Sequence, residues 1–363
     1  MITESMPIND FFLFLNQCNQ GNLRKSAVQT IICVINVISV NLRSRQERED
    51  FMSNLDQLIL STIVYYDIFD YPLTLVEIHR NLLRVKPQES CDLKTYNLCD
   101  IKDYISGISL KDKIREKDGF FFLRGRDRIV KTRLTRYVLA KNKYDKAKKV
   151  VFLLSHIPFV RAILACNSIA YNNTKDNSDI DLCIITKKGG VWWARAFCLI
   201  ILSLFNLRPT PEKHKNKFCL SFFIDEDNLN LKNLRIADKD IDFVNWVTNF
   251  YPLYDYDSYY NKFWEENYFW IKRYLPYSKQ VIPHNSRTID SKIYIRQILE
   301  YLLIPFTFLA RNFQKQYFPC PIRKLINCDT RVRVEEGLLK FHVNDRRLEH
   351  LEEFVKRYER AVS

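Results

Sequence analysis

The sequence predicts a mixed α/β protein of the α+β class: a small mixed sheet with helices, a winged-helix-like region before it and a mostly helical region after it. Three observations predict this. Apolar residues recur at helical spacing in three successive segments that end in a short hairpin signal, the layout of a winged helix-turn-helix. Mostly apolar runs of strand length, Phe159–Cys166 and Asp179–Thr186, then alternate with helical stretches. Beyond Asn230 the period is mostly helical. The 363 residues suffice for two or three domains at roughly 100–200 residues each, and an apolar share of 47% supplies real cores.

Taken in order, residues 1–50 read as a helical extension closing on the charged run Arg43–Asp50, a linker. Residues 51–155 form the winged-helix-like region with a basic helix after it. Within it, Leu55, Leu58, Ile59 and Ile63 recur at helical spacing, and Asp67-Ile68-Phe69-Asp70-Tyr71-Pro72 ends that helix in a turn. Thr74 followed by Glu77 is a capping-box pattern and starts a second helix running to about Leu83. A third helix is predicted over Leu93–Leu110, and Lys117-Asp118-Gly119-Phe120 places an Asp-Gly turn between two short strands. A long basic helix, roughly Asp127 to Ser155, follows. Residues 156–235 carry the strands Phe159–Cys166, Asp179–Thr186 and Lys217–Ile224, with Gly189-Gly190 turning the chain into the apolar helix Val191–Leu207. Residues 236–363 are predicted helical over Asp238–Phe250, Tyr260–Tyr274, Ile289–Phe313 and Arg346–Arg360.

Composition excludes several function classes. The seven glycines never fall as GxGxxG or GxxxxGK[ST], which rules out a Rossmann fingerprint, a Walker-type loop and a kinase-type flap. Of the formal charge of +14, Lys111–Lys149 holds fifteen Lys/Arg against five Asp/Glu, a local excess of ten. Such a patch suits nucleic acid as a partner of region 111–149, with a solvated helix flank as the alternative. The ten cysteines form no CxxC and no zinc-spaced pair, and Cys183, Cys198 and Cys219 sit in apolar runs as reduced, buried thiols. The opening MITESMPIND lacks signal-peptide features, and no apolar stretch reaches the roughly 20 clean residues of a membrane span. A cytoplasmic protein is expected. Trp192-Trp193 ahead of an apolar helix leaves contact with a membrane surface as an alternative.

Chemistry concentrates in Cys166-Asn167-Ser168, nine residues, then Ser178-Asp179-Ile180-Asp181-Leu182. Carboxylates at i and i+2 of a strand share a face, here Asp179 and Asp181, while Ile180 and Leu182 point to the core. Two oxygen ligands held side by side suit Mg²⁺, which takes carboxylates together with substrate phosphates. Ser168 falls where a strand ends and a helix begins, so its hydroxyl and the backbone N–H groups there can hold a triphosphate. His156 and His342 have no ligand-spaced partners and read as structural or exposed.

This constellation resembles the nucleotidyltransferase superfamily of polymerase-β-like enzymes. Its signature is a small Gly-Ser or Gly-Gly pair, about ten residues, then Asp-h-Asp-h, with a third carboxylate on a later strand. Asn167-Ser168 stands for the small pair and Asp179-Ile180-Asp181-Leu182 for the paired ligands. Tyr66–Thr74, Phe121–Arg126, Ile157–Arg161 and Phe218–Phe223 look like segments of uncharacterised bacterial proteins that join a winged-helix-like region to that fold. The likeness covers residues 55–235. It implies transfer of a nucleoside monophosphate from an NTP to an unidentified acceptor, with Mg²⁺ on Asp179 and Asp181, and with Asn167, Ser168 and Ser178 on the nucleotide. Asn167 departs from the family's glycine, but asparagine tolerates the left-handed region next best. No acid lies in the middle of Lys217–Ile224, so Asp225 at its end is the candidate third carboxylate, ahead of Asp227 and Glu212. The alternative is a degenerate member that binds nucleotide or nucleic acid as a regulatory module.

Overall fold

The computed structural model describes residues 54–362 except 86, 88–95, 211 and 292–295. The helical extension expected over 1–50 lies outside the described residues. From Asn54 onward the chain forms one compact unit.

The first part is built on α1 (Asn54–Asp67), which is buried on nearly every side. After it come β1 (Leu73–Thr74), α2 (Leu75–Arg80), α3 (Leu98–Ser106), α4 (Ile108–Lys111), β2 (Ile114–Lys117) and β3 (Phe120–Leu123). Thr74 caps α2 reciprocally with Glu77, whose carboxylate accepts the Thr74 N–H at 2.9 Å. Asn97 caps α3 in the same way and so sets its start. Asp118 and Gly119 take φ of +53° and +78°, the left-handed pair that a two-residue hairpin turn needs, and β1, β3 and β2 pair antiparallel in that order. This is the succession of helices and hairpin expected for the winged-helix-like region.

The 28-residue α5 (Arg128–Ser155) leads to β4 (Val160–Cys166), α6 (Asn167–Ala170), β5 (Ile180–Thr186), α7 (Val191–Leu204) and β6 (Phe218–Asp225). Beyond them lie α8 (Ile241–Thr248), β7 (Tyr251–Asp255), α9 (Tyr259–Lys272), α10 (Arg296–Leu303), α11 (Thr307–Gln316), α12 (Cys320–Leu325), β8 (Val332–Val334), β9 (Leu338–Phe341) and α13 (Arg347–Val362). The mostly helical tail is there, but it also supplies three strands that its period did not signal. The second sheet runs β7-β4-β5-β6-β9-β8, with β5–β6 its parallel pair. Runs as short as Leu338–Phe341 are ambiguous from periodicity, and pairing with β6 decides them.

One face of this sheet packs Ile163, Ile184 and Phe223 with Ala147 and Val151 of α5 and Trp192 and Leu202 of α7. On the other, Phe222 meets Trp246 of α8 with ring centroids 5.4 Å apart, and Phe250 stacks on Phe263 of α9 at 5.6 Å. Trp192, which sequence reading allowed at a membrane surface, is buried against Phe318. Among the described residues, no helix is long and apolar enough to cross a membrane.

The turn after α1 carries an ion-pair network around one buried carboxylate. Asp67, 4% exposed, accepts from Arg126 Nε at 2.9 Å and from Arg357 of α13, while Asp70 accepts from Arg126 Nη2 at 2.6 Å. Arg136 of α5 reaches the Phe69 carbonyl at 2.8 Å and Asp70 at 3.4 Å. Losing one partner of a well-buried pair costs about 3–5 kcal/mol. The two guanidinium groups keep some water contact, so Asp67→Ala is expected to cost about 2 kcal/mol. The measurement is a lowered urea midpoint with an unchanged m-value.

Candidate functional site

The three central strands line up Cys166, Asp181 and Cys219 directly across from one another. Asp179 stands one residue before β5, so the carboxylate pair opens that strand as the i, i+2 spacing requires. Oxygens of Asp179 and Asp181 and the sulfur of Cys219 lie within 4.8 Å of one another. This trio is where cation chemistry is possible.

Asn167 follows β4 with φ of +55°, so asparagine does take up the left-handed turn expected of it. Its side chain is held on both sides. The Trp246 indole N–H donates to Asn167 Oδ1 at 2.6 Å, and Asn167 in turn hydrogen-bonds the Asp181 carboxylate. Cys219 hydrogen-bonds Asp181 as well, and burial followed by the two carboxylates holds its thiol well above the usual range. It therefore stays a neutral S–H. Burial and then the neighbouring Asp179 push Asp181 up to about 7. Ser221, two residues past Cys219, meets His342 Nε2 at 3.2 Å. Burial, then Lys340, lowers His342 to about 3 and keeps it neutral.

Lys143 of α5 went unnoticed in the sequence. Its ammonium is buried and donates to the carbonyls of Asp176 and Ser178, which ties down the loop leading into Asp179. A signal existed: Lys143 stands on the stripe of Ala140, Tyr144 and Ala147, all buried. Trp246 was missed because nothing local marks an indole as the partner of an amide about eighty residues away.

Three expectations need correction. Asp225 pairs with Thr186 at the far end of β5, six residues along β6 from Cys219, or roughly 20 Å at strand rise. Its carboxylate accepts from Asn228 Nδ2 at 2.8 Å, Asp227 N at 3.2 Å and Gly189 N at 3.3 Å, so it closes a turn and is no third carboxylate. Parallel pairing of β5 and β6 puts their C-terminal ends together, which sends the end of β6 away from a site at the strand starts. Ser178 spends its hydroxyl on Thr174 at 2.7 Å and the Lys175 carbonyl at 2.7 Å, inside the loop. Ser168 sits half-buried beside Asn167, but α6 is a single four-residue turn and offers little helix dipole. Asp227 pairs with Lys188 at the Asp225 end.

No protein-family model, curated protein or solved structure matches the chain.

The two shifted groups pull stability in opposite directions. The folded state keeps a proton on Asp181 between about pH 4 and 7 that the unfolded chain releases, so this group lowers stability as pH rises through that window. The unfolded chain protonates His342 below about pH 6.5 while the folded state resists until about 3, so this group lowers stability as pH falls. Urea titrations in chelator between pH 4 and 7 should therefore show stability rising with pH in Asp181→Asn and falling with pH in His342→Gln, relative to wild type.

Proposed function

We propose that the chain binds a nucleoside triphosphate through a divalent cation held by Asp179 and Asp181, in the manner of the nucleotidyltransferase superfamily it resembles. The observation that supports this is the meeting, at one end of the sheet, of the left-handed Asn167 turn with the carboxylate pair that opens β5. The donor set fits Mg²⁺ through its two carboxylates, since that ion keeps waters and takes substrate phosphates for the rest. A neutral thiol at Cys219 adds no ligand of the right kind. The cation would neutralise phosphate charge. Around it, Asn167 orients Asp181, and Lys143 fixes the loop that carries Asp179.

Binding stands ahead of transfer because the β6 position beside the pair is Cys219, so no carboxylate there can take the proton of an attacking hydroxyl. A small nucleotide stands ahead of nucleic acid for a separate reason. Within 111–149, Arg126, Arg133, Arg136 and Lys143 are committed to internal carboxylates and carbonyls. In a DNA-reading winged helix a recognition helix enters the groove, and α3 there carries Asp100 and Asp103 against Lys102. Transfer of a nucleoside monophosphate to an acceptor is the second reading, supported by the intact Asn167 turn, and its mark is pyrophosphate release.

Titration of the chain with NTP and Mg²⁺ should give binding that Asp179→Ala or Asp181→Ala weakens by at least about tenfold. Unchanged affinity in both variants overturns the proposal. Cys219→Asp should tighten Mg²⁺ binding, because a third oxygen ligand joins the pair.

A further inference from the structure

Helices α10 and α11 are amphipathic with the polar side turned inward. The residues α10 buries are Arg296, which donates to the Val160 carbonyl at 3.0 Å, and Glu300, which pairs with Arg161 at 2.7 Å. Those α11 buries are Ala310 and Gln314, the latter donating to the Trp192 carbonyl at 2.8 Å. Large apolar side chains face outward instead, among them Ile298, Leu302 (57% exposed), Phe306, Leu309, Phe313 (63%) and Tyr317 (70%). Apolar patches of this kind mark interaction sites. Charge indicates what covers this one. From Tyr301 to Cys328 the charged residues are Arg311, Lys315, Arg323 and Lys324, with no acid among them. Arg311 and Lys315 are four apart and so form one stripe of α11, while Leu309, Phe313 and Tyr317, also four apart, form another. An apolar stripe edged by basic residues matches helices that lie in the headgroup–acyl boundary of an anionic bilayer.

We propose that the outer face of α10 and α11 docks on an anionic lipid surface, with the Leu309–Phe313–Tyr317 stripe entering the acyl boundary and Arg311, Lys315, Arg323 and Lys324 meeting acidic headgroups. This goes beyond nucleotide binding and uses none of its residues. The test is flotation of the full chain with vesicles of phosphatidylcholine, with and without phosphatidylglycerol. The chain should float with the anionic vesicles, and added salt should reduce this binding. Leu309→Glu with Phe313→Glu should cut binding at least tenfold. Arg311→Ala with Lys315→Ala should lower affinity for anionic vesicles by about tenfold and narrow the difference between the two compositions. Thermal melts check that each variant folds, and Phe306→Ser with Tyr317→Ser replaces the glutamate pair if that variant melts early. A chain that stays off both vesicles overturns the proposal, as does full binding by the folded apolar variants. So does a dimer in sedimentation equilibrium that the glutamate pair dissolves without changing vesicle binding, which makes the face an interface between copies.

Discussion

A carboxylate removed from water at the end of α1 constrains the rest of the chain. Asp67 is tolerable there because two guanidinium groups from distant parts of the sequence, Arg126 after the hairpin and Arg357 near the C-terminus, reach it together. Satisfying one buried charge thus fixes the hairpin against α1 and the last helix against both. The neighbouring Asp70 recruits Arg136 and so brings in α5, which also supplies the core stripe under β4. Of the fifteen basic residues between Lys111 and Lys149, Arg126, Arg133, Arg136 and Lys143 serve internal roles of this kind. Net charge counted along a sequence cannot separate charges that face a partner from charges that hold elements together.

The second sheet divides its polar groups between two ends. Asp179, Asp181 and Cys219 gather where β5 and β6 begin, and Asp225 closes a turn where they finish. From the first group, a row passes through Ser221 to His342 and approaches a buried charge cluster. In that cluster Arg347 donates to Asp240 at 2.7 Å and to Asp345 at 2.6 Å, and burial lowers Lys340 to about 8. Burial alone would raise Asp345, but its bonds to Arg347 bring it to about 2. This cluster joins α8, β9 and α13, which keeps Trp246 where it can hold Asn167.

Glycine scarcity has a structural counterpart. Eight left-handed positions among the described residues are filled by Asn or Asp, including Asp70, Asp118 and Asn167. Phe159 is a costlier case at φ of +70°. It is tolerated because its N–H donates to Glu300 at 2.7 Å and because Gly190 lies so close that a Cβ there would come within 2.3 Å of Phe159. At that position glycine is required by space.

Sequence alone determined what depends on neighbours along the chain. The Thr74–Glu77 capping box, the Asp118-Gly119 turn, the buried strands β4 and β5 and the shared face of Asp179 and Asp181 are set by spacings of one to four residues, where backbone geometry leaves few choices. Tertiary structure decided the rest. Parallel pairing placed Cys219 beside the carboxylates and sent Asp225 to the other end. Pairing made strands of Tyr251–Asp255, at the sheet edge beside β4, and of Leu338–Phe341, between β6 and β8. Packing turned the apolar residues of α10 and α11 outward by giving Glu300 and Gln314 partners inside. Register, pairing and burial depend on residues from 38 positions apart (Asp181 and Cys219) to 139 apart (Arg161 and Glu300), and no local pattern contains that information.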